Sequence, residues 1–199
     1  MYNGWAEMFL PLQALEVRSI HITEPKMVKN TYSAERPVSN LSYKTSTFSL
    51  PFLSVLTPFV KVYSWDSTTG RLDLEVEQTS VTESKLFALQ DTIIDLLAEN
   101  IGWFPCFKTK EDIKMNFQYI LFGSIFTIYL HGPNPEKKQT GRVWIWKDNA
   151  WQKGASSVIF KKGQQLRVAL RFQGVSLIKT ANGKNRFRLQ HQTISIFMR

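Results

Sequence analysis

The stretch Gln165-Leu166-Arg167-Val168-Ala169-Leu170-Arg171-Phe172 alternates strictly between apolar and other residues. A strand turns successive side chains to opposite faces. Leu166, Val168, Leu170 and Phe172 therefore read as an inward row, and Arg167, Ala169 and Arg171 as an outward one. One apolar face and one cationic face is the pattern of a half-buried antiparallel strand.

The neighbouring sequence repeats this theme. Residues 175–179 lead into Ala181-Asn182-Gly183-Lys184, where Asn-Gly marks a hairpin turn. Residues 186–191 oppose Phe187, Leu189 and His191 to Arg186, Arg188 and Gln190, and residues 193–198 close the run. Upstream, residues 142–147 set Val143 and Ile145 against Trp144 and Trp146. Residues 157–160 form a short apolar piece, residues 132–141 a Pro/Gly/Lys loop, and residues 124–131 an alternating strand with Phe126, Ile128 and Leu130 on one side.

Further upstream the period changes. From Glu83 to Asn100, Leu86, Leu89, Ile93, Ile94 and Leu97 recur at helical spacing. Thr82 or Ser84 is the expected cap, and Asn100 with Gly102 the expected end. A second helix is expected from Thr109, with Glu111 and Asp112 suiting the dipole of its first turn and Ile113, Phe117 and Ile120 forming its stripe. Between the helices, Trp103-Phe104-Pro105-Cys106-Phe107 reads as an apolar plug that buries the thiol.

Before the helices comes a predicted hairpin. Its first strand puts Phe59, Lys61, Tyr63 and Trp65 on one face, and Asp66 to Gly70 make the turn. Its second strand sets Leu72, Leu74 and Val76 against Asp73, Glu75 and Glu77, which read as a solvated acidic face. Trp65 and Trp103 read as core. Residues 1–57 are punctuated by Pro11, Pro25, Pro37 and Pro51. Proline at this spacing argues against long helices and central strands, so an extended arm with a few short strands is expected, the best of them within residues 15–22.

Composition bounds the function. The chain has 199 residues, 43% of them hydrophobic and 13% aromatic, enough apolar material to fold rather than stay disordered. Its single cysteine, Cys106, excludes a disulfide framework and suits an intracellular setting. No apolar run is long enough for a membrane-spanning helix, and the start of the chain lacks the basic region of a signal peptide.

The net charge of +9 is unevenly placed. Residues 1–130 carry 11 basic and 14 acidic side chains, whereas residues 131–199 carry 14 basic and only 2 acidic ones. An interleaved basic and aromatic third points to a polyanion, nucleic acid foremost.

The candidate binding residues follow from that pattern. Arg142, Trp144 and Trp146 share one strand face, Arg167 and Arg171 another, and Arg186 and Arg188 a third, with Trp151, Lys153, Lys161 and Lys162 expected in the turns between. Single strands need cations for phosphates and flat rings for bases, and such stacking tolerates any base. Duplex readers need a helix for the major groove, but the first helix here is acidic and the second carries no net positive charge.

Enzyme signals are thin. His21, His131 and His191 belong to no spaced metal motif. No glycine-rich phosphate loop occurs, and Cys106 has no histidine nearby in sequence. No cofactor is expected.

The order of elements then adds a resemblance. A Lys61-Val62-Tyr63 strand precedes an acidic strand. A helix follows with Lys85-Leu86, Leu89, Ile93-Ile94 and Glu99-Asn100, and then Trp103-Phe104, a short helix and a basic strand-rich half. Over residues 52–199 this resembles the OB-fold single-stranded DNA-binding proteins of large DNA viruses, a group distantly similar to the replication single-strand binders of phages. The resemblance implies a five-stranded barrel with inserted helices, a nucleic-acid groove on one barrel face, a role in DNA replication, and a structural place for Trp103-Phe104. It does not extend to the acidic tail of many phage-type proteins, since the residues here are Phe197-Met198-Arg199.

The expectation is therefore a mainly β chain with two inserted helices: an irregular arm over residues 1–57 and an OB-type β-barrel over residues 58–199. The expected partner is single-stranded nucleic acid, with replication proteins and a second copy as further partners to test, and no membrane. The competing expectation is a capsid- or nucleoprotein-like structural β protein whose basic surface faces a genome.

Overall fold

A computed structural model describes residues 8–30, 33–130, 142–154 and 159–199. The expected loop at 132–141, His131 and the first half of the short apolar piece at 157–160 lie outside these residues. Strands β1 (Leu10–Pro11), β2 (Ile20–Ile22), β3 (Lys26–Asn30), β4 (Ser33–Lys44), β5 (Ser49–Leu50) and β6 (Leu53–Leu56) come first. Then follow β7 (Val60–Asp66), β8 (Arg71–Glu75), helix α1 (Val81–Glu99), helix α2 (Lys110–Met115), β9 (Phe117–Gln118), β10 (Leu121–Phe122) and β11 (Ile125–Tyr129). The last third holds β12 (Arg142–Lys147), β13 (Ala150–Lys153), β14 (Gln165–Lys179) and β15 (Asn185–Met198). The described residues are mainly β with two α-helices, as the periodicities imply.

The long β14–β15 hairpin organises everything else. Its turn carries Gly183 at φ 79°, a left-handed conformation that glycine adopts without strain. On its other edge β14 pairs in turn with β7, β6 and β4. Strand order across β14-β7-β8-β11 is antiparallel throughout. Neighbours β7, β8 and β11, with the later β14 returning beside β7, have the 4-1-2-3 spatial order of a Greek key, with the helices inserted between β8 and β11. The resulting mixed sheet is open: its main hydrogen-bonded path ends at β10 and at β13. A closed OB-type barrel is therefore not formed by backbone ladders. Where closure would occur, β11 and β15 meet through side chains instead. The Tyr129 amide donates to Nε2 of His191 at 3.2 Å, and Thr193 Oγ1 donates to the Tyr129 carbonyl oxygen at 3.2 Å.

The described residues of the expected arm, 8–30 and 33–57, are built into this sheet. β6 and β4 lie along β14, and Leu12, Leu15, Ile20, Leu41, Tyr43, Leu53 and Val55 join the same core as Leu166, Val168, Leu170 and Phe172. Pro37 sits inside β4, in a strand paired on both sides. It is tolerated because the β14 ladder covers only Val38, Ser39 and Asn40, leaving no bond for the missing proline N–H to make there. The strand candidate at 15–22 is a single helical turn, Val17–Ser19, followed by β2.

The helices form where the apolar spacing places them, with different ends. α1 buries Leu86, Leu89, Ile93, Ile94 and Leu97, and its cap is Ser80, not Thr82 or Ser84. Ser80 accepts from the Glu83 amide, while the Glu83 carboxylate accepts from the Thr79 amide. α2 is capped by Thr109 in a reciprocal box with Asp112. It ends at Met115, so Phe117 reaches the core from β9 and Ile120 from the bend between β9 and β10. Buried Gln90 ties α1 to β10 by accepting from the Ile120 and Leu121 amides at 2.8 and 2.7 Å.

Three local readings change. A bulge between Val62 and Ser64 makes Tyr63 the extra residue and sets Trp65 opposite buried Leu72, where it packs edge-on against Phe160 at 5.1 Å. Asp73 is buried rather than solvated, because it accepts from Ser64, Arg71 and Thr127 at 2.9, 2.9 and 2.7 Å. These donors hold its carboxyl below the usual range against the opposing effect of burial. In the plug, Phe104 and Phe107 are buried against Phe187, Trp103 is partly buried, and Cys106 is exposed, so the thiol faces solvent.

Candidate nucleic-acid interface

The register of β14 with β15 settles which side chains share a face. Fully buried Leu166, Val168, Leu170 and Phe172 stand opposite Met198, Ile196, Thr193 and His191. Arg167, Ala169 and Arg171 stand opposite Phe197, Ser195 and Gln192 on the other side. Irregularities at Ala169/Leu170 and Phe172/Gly174 absorb Ile194 and Gln173 as extra residues. Ser176 and Ile178 then oppose Arg188 and Arg186 on the same outward side. Ala169 is itself buried, a methyl floor between the stems of Arg167 and Arg171.

Beyond β15 the face continues onto the β12–β13 hairpin. β12 runs parallel to the end of β15, with Arg142 opposite Ser195 and Trp144 opposite Phe197. On its far edge Trp144 faces Lys153, and Trp146 faces Trp151. Trp151 and Lys153 are thus strand residues and not turn residues. Direct partners share a face, so Arg167, Phe197, Trp144 and Lys153 form one row across four strands: cation, ring, ring, cation. Neighbouring strands are about 4.8 Å apart, which makes the row roughly 14 Å long.

The rings beside this row touch one another. Trp146 meets Trp151 at 5.2 Å and Trp151 meets Phe197 at 5.3 Å, both edge to face. Trp146 is 43% and Trp151 37% exposed, so part of each ring faces solvent. Trp144 is half-buried, while Val143 on the reverse face is core. The tryptophan face of β12 is therefore the outer one.

Five cations are seated on aromatic rings. Arg171 lies over Phe52 at 5.4 Å, Arg188 over Tyr129 at 5.6 Å, and Lys162 over Tyr63 at 5.3 Å. Arg167 and Arg199 both lie over Phe59, at 5.6 and 4.6 Å. Such seating restricts long side chains without neutralising them. Two ion pairs, Arg71–Asp73 and Lys110–Asp95, lie in other parts of the fold.

The structure thus gathers Arg142, Trp144, Trp146, Trp151, Lys153, Arg167 and Arg171 around one end of the β14–β15 hairpin. Arg186 and Arg188 share the side but sit near its turn, roughly 30 Å along the strand from Phe197. Lys161 and Lys162 lie in the turn entering β14, as expected. Sequence reasoning missed Phe59, Phe197 and Arg199. Phe197 gave no clear signal, because the bulge at Ile194 breaks the alternation and puts Thr193 inward but Ser195 and Phe197 outward.

His191 lies behind the face, at the β11–β15 contact. Burial, reinforced by the charge of Arg188, pushes its imidazole down to about 4. It is therefore neutral near pH 7 and can accept from Tyr129 through Nε2. Among the described residues no group of three or more His, Cys, Asp or Glu is placed to hold a metal ion, and no helix is long and apolar enough to cross a membrane. No family model, curated protein or solved structure matches the chain.

Proposed function

We propose that this protein binds single-stranded nucleic acid, single-stranded DNA foremost, in a sequence-tolerant way. The carrying observation is the row Arg167, Phe197, Trp144 and Lys153, flanked by partly exposed Trp146 and Trp151. A strand crossing the sheet along this row meets cations at both ends and π-faces between them. That suits phosphates and unpaired bases, and it demands no particular base. Paired bases inside a duplex offer no π-face to the rings, and neither helix is basic enough to enter a major groove.

The barrel reading belongs to this proposal. The Greek-key order β14-β7-β8-β11, with β15 brought to β11 by the Tyr129–His191 and Tyr129–Thr193 bonds, supports a partly open barrel of OB type. On that reading the protein coats DNA exposed during replication inside a cell, as the resemblance to viral single-strand binders implies.

The test is competition binding with single-stranded DNA, single-stranded RNA and duplex DNA of equal length, over a range of salt. Single strands should win, with affinity falling steeply as salt rises. Equal or tighter binding of duplex would overturn the reading.

A further inference from the structure

Phe59 carries two guanidinium groups, Arg167 at 5.6 Å and Arg199 at 4.6 Å from its ring centre. Their carbons are therefore within about 10 Å of each other, although two like charges repel. Arg167 is held in place from behind. Its Nε donates to the Thr57 carbonyl oxygen at 3.0 Å, and buried Thr57 exchanges bonds with Val168, its amide donating to the Val168 carbonyl and its Oγ1 accepting from the Val168 amide, both at 2.9 Å. The segment that presents Phe59 is thus anchored on β14. Lys61, the next outward residue, is paired opposite Gln165 on one side and Glu75 on the other. Arg167 in turn stands directly opposite Phe197, the first ring of the row.

We propose that Arg167 and Arg199 on Phe59 form a phosphodiester seat at one end of the row. This inference rests on the single-strand reading above and places one backbone phosphate beside Phe59, so that the adjoining bases fall on Phe197, Trp144 and Trp151. Phe59 is a positioning residue: it holds the planar guanidinium groups so that little side-chain freedom is lost when the phosphate arrives. The seat would recognise the sugar–phosphate backbone and not the base.

Two probes separate the seat from the rings: oligo(dT), and a backbone oligomer of the same length lacking bases. Arg199→Gln is expected to weaken both to the same extent, by about tenfold for loss of a charge-assisted contact. It should also lower the slope of log affinity against log salt by about one. Phe59→Leu, which keeps an apolar residue but removes the ring, should weaken both in the same way. Thermal melting of each variant reports whether folding is intact. Where Phe59→Leu fails to fold, Arg199→Gln alone decides. Steep salt dependence in the parent protein with an unchanged slope and affinity in Arg199→Gln would overturn the seat while leaving the single-strand reading in place. Failure of the parent protein to bind oligo(dT) would overturn both.

Discussion

Trp144 lies directly opposite Phe197 in the parallel pairing of β12 with β15, and Lys153 lies opposite Trp144 on its other side. Parallel pairing of two strands from such different parts of the chain is what carries the tryptophan hairpin onto the arginine face of β14. Without it, the cations and rings that a single strand needs would sit on separate surfaces.

Trp144→Leu removes a ring from the centre of this row. A stacked base contributes about 1–3 kcal/mol, so affinity for oligo(dT) should fall by roughly 5- to 150-fold. The salt dependence should stay unchanged, because no phosphate contact is lost. Equilibrium binding at two salt concentrations checks both parts. Affinity equal to that of the parent protein would remove Trp144 from the interface.

Arg186→Gln acts through charge alone. Arg186 is exposed near the turn of the β14–β15 hairpin, far from the rings. If a long strand follows the outward face that far, the salt slope should drop by about one for long oligonucleotides and not for short ones. A slope unchanged at every length would confine binding to the tryptophan end.

Acid should loosen the contact between β11 and β15. His191 has an ordinary value of 6.5 in the unfolded chain and about 4 in the folded one. Its contribution to stability is complete above pH 6.5. As pH falls from 6.5 toward 4, the unfolded chain takes up a proton that the folded chain does not, so stability declines by up to about 3 kcal/mol. Urea unfolding at about pH 7 and pH 5 should show this decline. His191→Gln, whose side-chain oxygen can still accept from Tyr129, should show less of it. Equal declines would place the sensitivity elsewhere.

Gly174 marks where β4 meets β14. A Cβ there would lie 2.3 Å from the Ser39 carbonyl oxygen, a backbone atom held in the β4–β14 pairing. Gly174→Ala should therefore destabilise by about 1–3 kcal/mol or more, since relief requires moving a strand. A melting temperature equal to that of the parent protein would mean that β4 can separate from β14 at little cost.

Periodicity made much of this fold legible. The helical spacing of Leu86, Leu89, Ile93 and Ile94, the Asn182-Gly183 turn and the alternation around Arg167 each led to the element now seen. Long-range pairing was not legible. Nothing local in residues 33–44 distinguishes a central strand from an arm, since Pro37 argues against a strand and only the short ladder to β14 permits it. Bulges were also hidden: one extra residue at Tyr63 turned Trp65 toward the core, and another at Ile194 set Phe197 beside Arg167. The candidate residues were found because charge and ring are visible residue by residue. Their common face was not, because it depends on β12 pairing with β15 across the intervening hairpin.

Photocrosslinking tests the place of binding most directly. Oligonucleotides carrying 5-bromodeoxyuridine, irradiated in complex with the intact protein and mapped by mass spectrometry, should attach within β12, β13 and the end of β15, at Trp144, Trp146, Trp151 or Phe197. Crosslinks confined to α1, α2 or β7–β8, with none in the tryptophan hairpin, would contradict binding across the Arg167–Phe197–Trp144–Lys153 row.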